Sequence, residues 1–196
     1  MQRRMLDLTD FETRETESGE MILSGYFAKF DSPYEVCDGW TETIAPGAFT
    51  RTLASGSEVK GLWNHDTNLA LGSLTNRTLI LEQDDIGLRG TIVINPYDSD
   101  AVNAYQRVKR GDVSGCSFGF DVSVWDDEYD ADGHRHTTLR EIFPLYEVSP
   151  CTFPAYEATE VYARNREVFE KDKLRRAHEF EKWRDGILRR IKKEWH

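Results

Sequence analysis

The segment Val113-Ser114-Gly115-Cys116-Ser117-Phe118-Gly119-Phe120-Asp121-Val122-Ser123-Val124 limits the folds open to this chain more than any other. Side chains alternate between the two faces of a strand. Cys116, Phe118, Phe120, Val122 and Val124 therefore point one way, and Ser117, Gly119, Asp121 and Ser123 the other. The apolar face demands a sheet with a second layer packed against it. The other face is small and polar. Ser117 stands on it between Gly115 and Gly119, whose bare backbones let another chain approach closely. Ser114 and Cys116 share the core-side parity and are weaker nucleophiles; a bulge at Gly115 moves Ser114 but not Cys116. The same pattern also fits a plain polar residue on an exposed sheet face.

The rest of the chain reads as short strands with few helices. Residues 1–20 are polar and acidic, a frayed lead-in. Met21 to Phe30 has strand composition, interrupted by Ser24-Gly25, and Asp31-Ser32-Pro33 is a turn. A short helix follows Pro46, with Phe49 and Leu53 as an i,i+4 apolar pair, and ends near Ser55-Gly56. Val59 to Trp63 is a strand delivering Asn64-His65-Asp66 at its end, and two more strands fall near Thr78–Glu82 and Leu88–Ile94. Asp98 or Ser99 caps a helix carrying Ala101, Val102, Tyr105 and Val108, closed by Arg110-Gly111. Asp126 to His136 is a polar hairpin loop, and Ile142 to Val148 a further strand. From Val168 onward the spacing turns helical, with Phe180, Trp183, Ile187, Ile191 and Trp195 forming one stripe. The expectation is an α+β fold built around a barrel or sandwich, in three parts: a lead-in over 1–20, a main domain over 21–162, and a basic amphipathic C-terminal helix over 163–196.

Three segments could carry chemistry. A serine hydroxyl needs a base to take its proton. Of the five histidines, His178 and His196 lie in the tail, and His134 and His136 sit in a loop beside Asp127, Glu128, Asp130 and Asp132. That loop invites a metal, but it offers no further ligand at a known metal spacing, so neither a metal nor any other cofactor is expected. His65, beside Asn64 and Asp66 at the end of an apolar strand, is sheltered yet reachable; it also fits a structural histidine. Glu147 lies inside an otherwise apolar strand, where a carboxylate must be paired. Orienting a histidine would satisfy it, as would a salt bridge to Arg140 or Arg89.

Composition excludes several classes. Hydrophobic residues make up 39% and charged residues 31%, and no run approaches the ~20 apolar residues a membrane helix needs. No apolar stretch follows Met1-Gln2-Arg3-Arg4-Met5, so no signal peptide is expected. Three cysteines without framework spacing favour a reducing compartment. Residues 164–196 hold 12 Lys/Arg against 7 Asp/Glu, a net of +5, and the remainder carries −15. An acidic body argues against nonspecific DNA binding by the main domain, while the basic tail suits an acidic partner, nucleic acid or a solvated helix.

Five segments, in order, resemble the phage prohead protease family, the head maturation proteases similar to the herpesvirus assemblins. They are Ser24-Gly25-Tyr26-Phe27-Ala28-Lys29-Phe30; Glu42-Thr43-Ile44-Ala45-Pro46-Gly47-Ala48-Phe49; Leu62-Trp63-Asn64-His65-Asp66; Arg110-Gly111-Asp112-Val113-Ser114-Gly115-Cys116-Ser117-Phe118-Gly119-Phe120; and Glu147-Val148-Ser149-Pro150-Cys151-Thr152-Phe153-Pro154-Ala155-Tyr156. The resemblance covers roughly residues 21–160. It implies a mainly antiparallel β-barrel flanked by a few helices, and a serine endopeptidase acting inside the assembling prohead in the bacterial host cytoplasm. His65 is implied as base, Ser117 as nucleophile and Glu147 as third member, where assemblins carry a second histidine. The assemblin pattern Cys-Ser-x-Gly is similar to Cys116-Ser117-Phe118-Gly119, although many phage relatives have methionine in place of Cys116. Implied partners are the major capsid protein and scaffold as substrates, the chain itself through self-cleavage, the portal, and a second copy in a dimer. The competing expectations are a catalytically inactive capsid-assembly protein on the same fold, a metal hydrolase using His134 and His136, and a thiol protease using Cys116.

Overall fold

The computed structural model describes residues 2–7, 11–152, 170–175, 178 and 181–182. The strands in chain order are β1 (Gln2–Asp7), β2 (Glu12–Glu15), β3 (Met21–Lys29), β4 (Tyr34–Cys37), β5 (Trp40–Ile44), β6 (Lys60–Trp63), β7 (Asp66–Ser73), β8 (Leu79–Gln83), β9 (Gly87–Val93), β10 (Gly115–Tyr129) and β11 (Arg135–Cys151). Helix α1 (Thr50–Ala54) follows β5, and α2 (Ser99–Arg110) follows β9. The fold is α+β and mainly β, as the strand-rich pattern requires.

The strands form two sheets. One is seven-stranded and mixed, in the order β1-β10-β11-β5-β4, with β6 pairing β11 and β7 pairing β6. The other is antiparallel, in the order β2-β3-β9-β8. Among the described residues no closed barrel forms, which corrects the barrel expected from the resemblance. The residues expected to form a frayed lead-in also differ: β1 pairs β10, β2 pairs β3, and Phe11 packs edge-on against the core residue Phe27 at 5.4 Å between ring centroids.

The core lies where the sheets face each other. Leu23, Phe27, Leu88 and Ile92 from one sheet join Cys116, Phe118, Phe120, Ile142 and Val148 from the other in a single buried cluster. Phe118 stacks on Phe120 at 4.7 Å between ring centroids and meets Phe49 edge-on at 6.0 Å. The alternation expected for this strand holds as far as Val122, which still packs on the core. Register shifts accumulate between Gly119 and Trp125, and Val124 is exposed. Each bulge adds a residue on one strand and so turns the following side chains to the other face.

Helix α2 forms where its signals put it. Asp98 Oδ1 accepts from the backbone N–H groups of Asp100 and Ala101, and Gly111 closes the helix at φ +85°, a left-handed conformation that favours glycine. Ala101, Ala104, Tyr105 and Val108 recur at i, i+3, i+4 and i+7 and are buried. The polar hairpin loop is shorter than expected. β10 continues to Tyr129 and β11 begins at Arg135, leaving a tight turn at 130–134. Residues 170–175, 178 and 181–182 are helical, in line with the helical spacing there. The apolar stripe of Phe180, Trp183, Ile187, Ile191 and Trp195 lies outside the described residues. No helix among the described residues is long and apolar enough to cross a membrane.

Candidate active site

The site is built on the antiparallel pair β10–β11. Gly115 is opposite Cys151, Ser117 opposite Ser149, and Gly119 opposite Glu147. Residues directly opposite in an antiparallel pair share a face. Ser117, Glu147, Ser149 and Cys151 therefore stand on one face, and Cys116, Phe118 and Val148 on the core face. Gly115 and Gly119 place no side chain beside Ser117. This face is not open, as parity alone suggested: Ser117 and Ser149 are fully buried.

His65 reaches this face from a hairpin. Trp63 pairs with Asp66, leaving Asn64 and His65 as a two-residue turn between β6 and β7. Both are left-handed, with φ of +51° and +62°. Two positive φ values are what a type I′ hairpin demands, and Asn and His tolerate them better than most side chains. Strand β6 runs parallel to the end of β11, with Lys60 beside Glu147 and Gly61 beside Val148. The turn is also pinned to the following segment. Asn64 N–H donates to the Pro150 carbonyl (3.1 Å), Thr152 N–H donates to Asn64 Oδ1 (2.8 Å), and Asn64 Nδ2 donates to Thr152 Oγ1 (3.1 Å).

The result is a buried polar chain. His65 Nδ1 lies 2.7 Å from Glu147 Oε1, with the side chains only 7% and 5% exposed. An ionised carboxylate only accepts, so Nδ1 carries the proton and Nε2 is left with its lone pair. Ser149 Oγ donates to the other carboxylate oxygen, Glu147 Oε2, at 2.5 Å. Cys151 Sγ lies 3.6 Å from His65 Nε2 and 3.5 Å from the Ser149 carbonyl, both within hydrogen-bond reach of its single S–H. Ser117 Oγ is buried and makes no hydrogen bond among the described residues. Such an arrangement can hold an imidazole in one tautomer, accept a proton at Nε2, and stabilise the imidazolium that results.

His65 and Glu147 thus meet directly, and Ser117 shares their face without being bonded to His65. The salt bridges considered for Glu147 are not made, because Arg140 pairs with Asp126 and Arg89 with Glu82. Cys116 is on the core side, its thiol directed at the Tyr26 and Phe27 carbonyls and pushed well above its ordinary range by burial. This is the opposite of what a thiolate nucleophile needs. His134 and His136 do not converge. His136 bonds Thr41 and Thr43, whereas His134 bonds Asp130 in the exposed turn and, with Asp132, forms a loose acidic cluster. Two backbone amides beside His65, those of Asn64 and Thr152, are engaged in the turn clamp and are not free to serve as oxyanion donors. Ser149 and Cys151 were missed as site residues. Period-two spacing from Glu147 is the signal that finds them.

Comparison with known proteins bears on this geometry. The sequence profile of the family described as caudovirus prohead serine protease matches residues 9–173. The prohead protease of Enterobacteria phage HK97 is 30% identical over 163 residues, covering 82% of this chain and 68% of that protein. The solved structure of the bacteriophage T4 capsid assembly protease, gp21, aligns with a TM-score of 0.42 at 13% identity, over 77% of this chain and 99% of the other. This last likeness is too distant to argue from.

Proposed function

The chain belongs to the caudovirus prohead serine protease family, and from that premise we propose that Ser117, His65 and Glu147 are its catalytic triad. The observation that carries the reading is the buried 2.7 Å bond from His65 Nδ1 to Glu147, which leaves Nε2 as a proton acceptor on the face that also bears Ser117. Ser117 Oγ attacks the scissile carbonyl while Nε2 takes its proton, and the imidazolium then returns that proton to the leaving amine. Glu147 holds the ring and stabilises its positive charge. The unbonded Ser117 hydroxyl suits a resting enzyme, since catalytic hydrogen bonds tighten when substrate binds.

The proposed substrates are the capsid and scaffold proteins of the assembling prohead, and the chain itself. The proposed setting is the prohead interior, with a dimer as the working unit and the portal as a further contact. The basic segment over 163–196 is proposed as a separate element that directs the enzyme to its partners. Its net charge is opposite to that of the body.

One contact favours a second reading. Cys151, not Cys116, is the thiol beside His65 Nε2, so a cysteine nucleophile at 151 would use the same base and the same carboxylate. Coexpression of the chain with its capsid protein, read by intact mass, separates the two. Fragments that vanish in Ser117→Ala and persist in Cys151→Ala support the serine mechanism. The reverse pattern assigns the nucleophile to Cys151.

A further inference from the structure

We propose that Ser149 is a positioning residue of this site, fixing the Glu147 carboxylate so that His65 stays in its proton-accepting tautomer. The inference rests on the triad reading above and adds a fourth member to it. Glu147 is buried, and both its oxygens must be satisfied by donors. His65 Nδ1 supplies one and Ser149 Oγ the other, at 2.7 and 2.5 Å. Hydroxyl-to-carboxylate bonds in this range are charge-assisted and among the stronger hydrogen bonds in proteins.

A glutamate needs this second anchor more than an aspartate would. Its extra methylene adds a torsion, and the final carboxylate rotation is a broad well rather than a staggered one. The His65 bond alone leaves the carboxylate able to swing about that oxygen. Ser149 sits two residues along β11 on the same face, fully buried and opposite Ser117. Its own hydroxyl is therefore held by the sheet rather than by a mobile loop. The segment 147–152 thus grips the histidine twice: Pro150 and Thr152 hold the backbone turn through Asn64, and Ser149 holds the ring's acceptor through Glu147.

The test separates positioning from catalysis by using a chain that cannot turn over. In full-length Ser117→Ala, the His65 Nδ1–H proton bonded to Glu147 should give a far-downfield proton resonance. Adding Ser149→Ala should broaden or remove it, and adding Ser149→Thr, which keeps the hydroxyl on a β-compatible side chain, should restore it. With Ser117 intact and the major capsid protein as substrate, Ser149→Ala should lower kcat about 10- to 100-fold, by analogy with the loss when the hydrogen-bond partner behind a metal-ligating histidine is removed, with KM unchanged within about twofold. An unchanged resonance together with an unchanged kcat in Ser149→Ala overturns the proposal while leaving the triad standing. Absence of the resonance from Ser117→Ala itself overturns the His65–Glu147 pairing and the proposal with it. Failure of Ser149→Thr to restore a lost signal assigns Ser149 a packing role and likewise overturns it.

Discussion

Replacing Glu147 by glutamine is the sharpest test of the proposed triad, because it removes a charge while keeping volume, burial and hydrogen-bonding capacity. The amide can be seated in two ways. With its oxygen toward His65 Nδ1, its NH2 group faces Ser149, whose hydroxyl can turn and accept. Every bond is then kept, and only the negative charge is gone. With its NH2 toward His65, the amide donates to Nδ1 and forces the ring proton onto Nε2, where the base must be bare. The first seating loses the stabilisation of the imidazolium. At the observed 2.7 Å and an effective dielectric of about 20, that attraction is about 6 kcal/mol, falling to about 4 kcal/mol if the charges are treated as centred about 4 Å apart. At roughly 1.4 kcal/mol per decade this is a loss of about three to four orders of magnitude in kcat. The second seating resembles the amide replacement in Ser-His-Asp proteases, which costs ~10⁴-fold by imposing the wrong tautomer. Both seatings predict a large kcat loss with an unfolding midpoint close to wild type. The assay is single-turnover cleavage of the capsid protein alongside urea unfolding. A Glu147→Gln enzyme that folds normally and keeps kcat within tenfold of wild type would refute the role given to this carboxylate.

Ser117→Ala should reduce turnover by about six orders of magnitude, the cost of losing the nucleophile when a triad acts as a unit. Because the Ser117 hydroxyl is buried and has no hydrogen-bond partner among the described residues, the same substitution should leave stability unchanged or raise it by about 1 kcal/mol in denaturant titration, and a marked loss of stability would argue for an essential bond at Oγ. Phe118→Ala removes a fully buried ring that contacts both Phe49 and Phe120 and should cost about 3–5 kcal/mol in the same titration; a cost below about 1 kcal/mol would mean that the strand carrying Ser117 is not packed as described. The Tyr26 hydroxyl donates to Asp84 at 2.6 Å, a bond that holds the Asp84 carboxyl below its ordinary range and the tyrosine above its own. Stability from this pair should be full between the two unfolded-state values, fade in acid as pH falls through the depressed carboxyl pKa, and fade in alkali as pH rises through the raised phenol pKa. Tyr26→Phe should flatten both limbs of the pH profile of the unfolding midpoint, by a small amount because the bond itself is exposed, and an unaltered profile would show the bond to be without thermodynamic weight.

Much of the local structure was legible because it rests on short-range rules. Helix α2 carries its cap at Asp98, its stop at Gly111 and its buried stripe within one stretch of chain, and β8 and β9 fall within a residue of the strands expected near Thr78–Glu82 and Leu88–Ile94. The face of Ser117 followed from parity near the start of β10, and the same rule failed at Val124, where bulges intervene that no periodicity shows. The barrel expectation failed for a related reason, since closure depends on how strand edges meet around the whole molecule. Ser149 and Cys151 were overlooked because a serine and a cysteine in an apolar strand look like filler until the strand's partner is known.

The residue inventory, the strand-rich class and the face on which Ser117 stands are legible in the sequence alone. Tertiary contacts alone bring His65 to Glu147 across 82 residues of chain, complete the carboxylate with Ser149 rather than an arginine, and put Cys151 rather than Cys116 beside His65 Nε2. The physical reason is that alternation along a strand fixes only which way a side chain points, whereas its partner is fixed by register between strands. That register is set by the β10–β11 ladder, by the parallel docking of β6, and by a two-residue turn whose left-handed residues are held by contacts from a distant part of the chain.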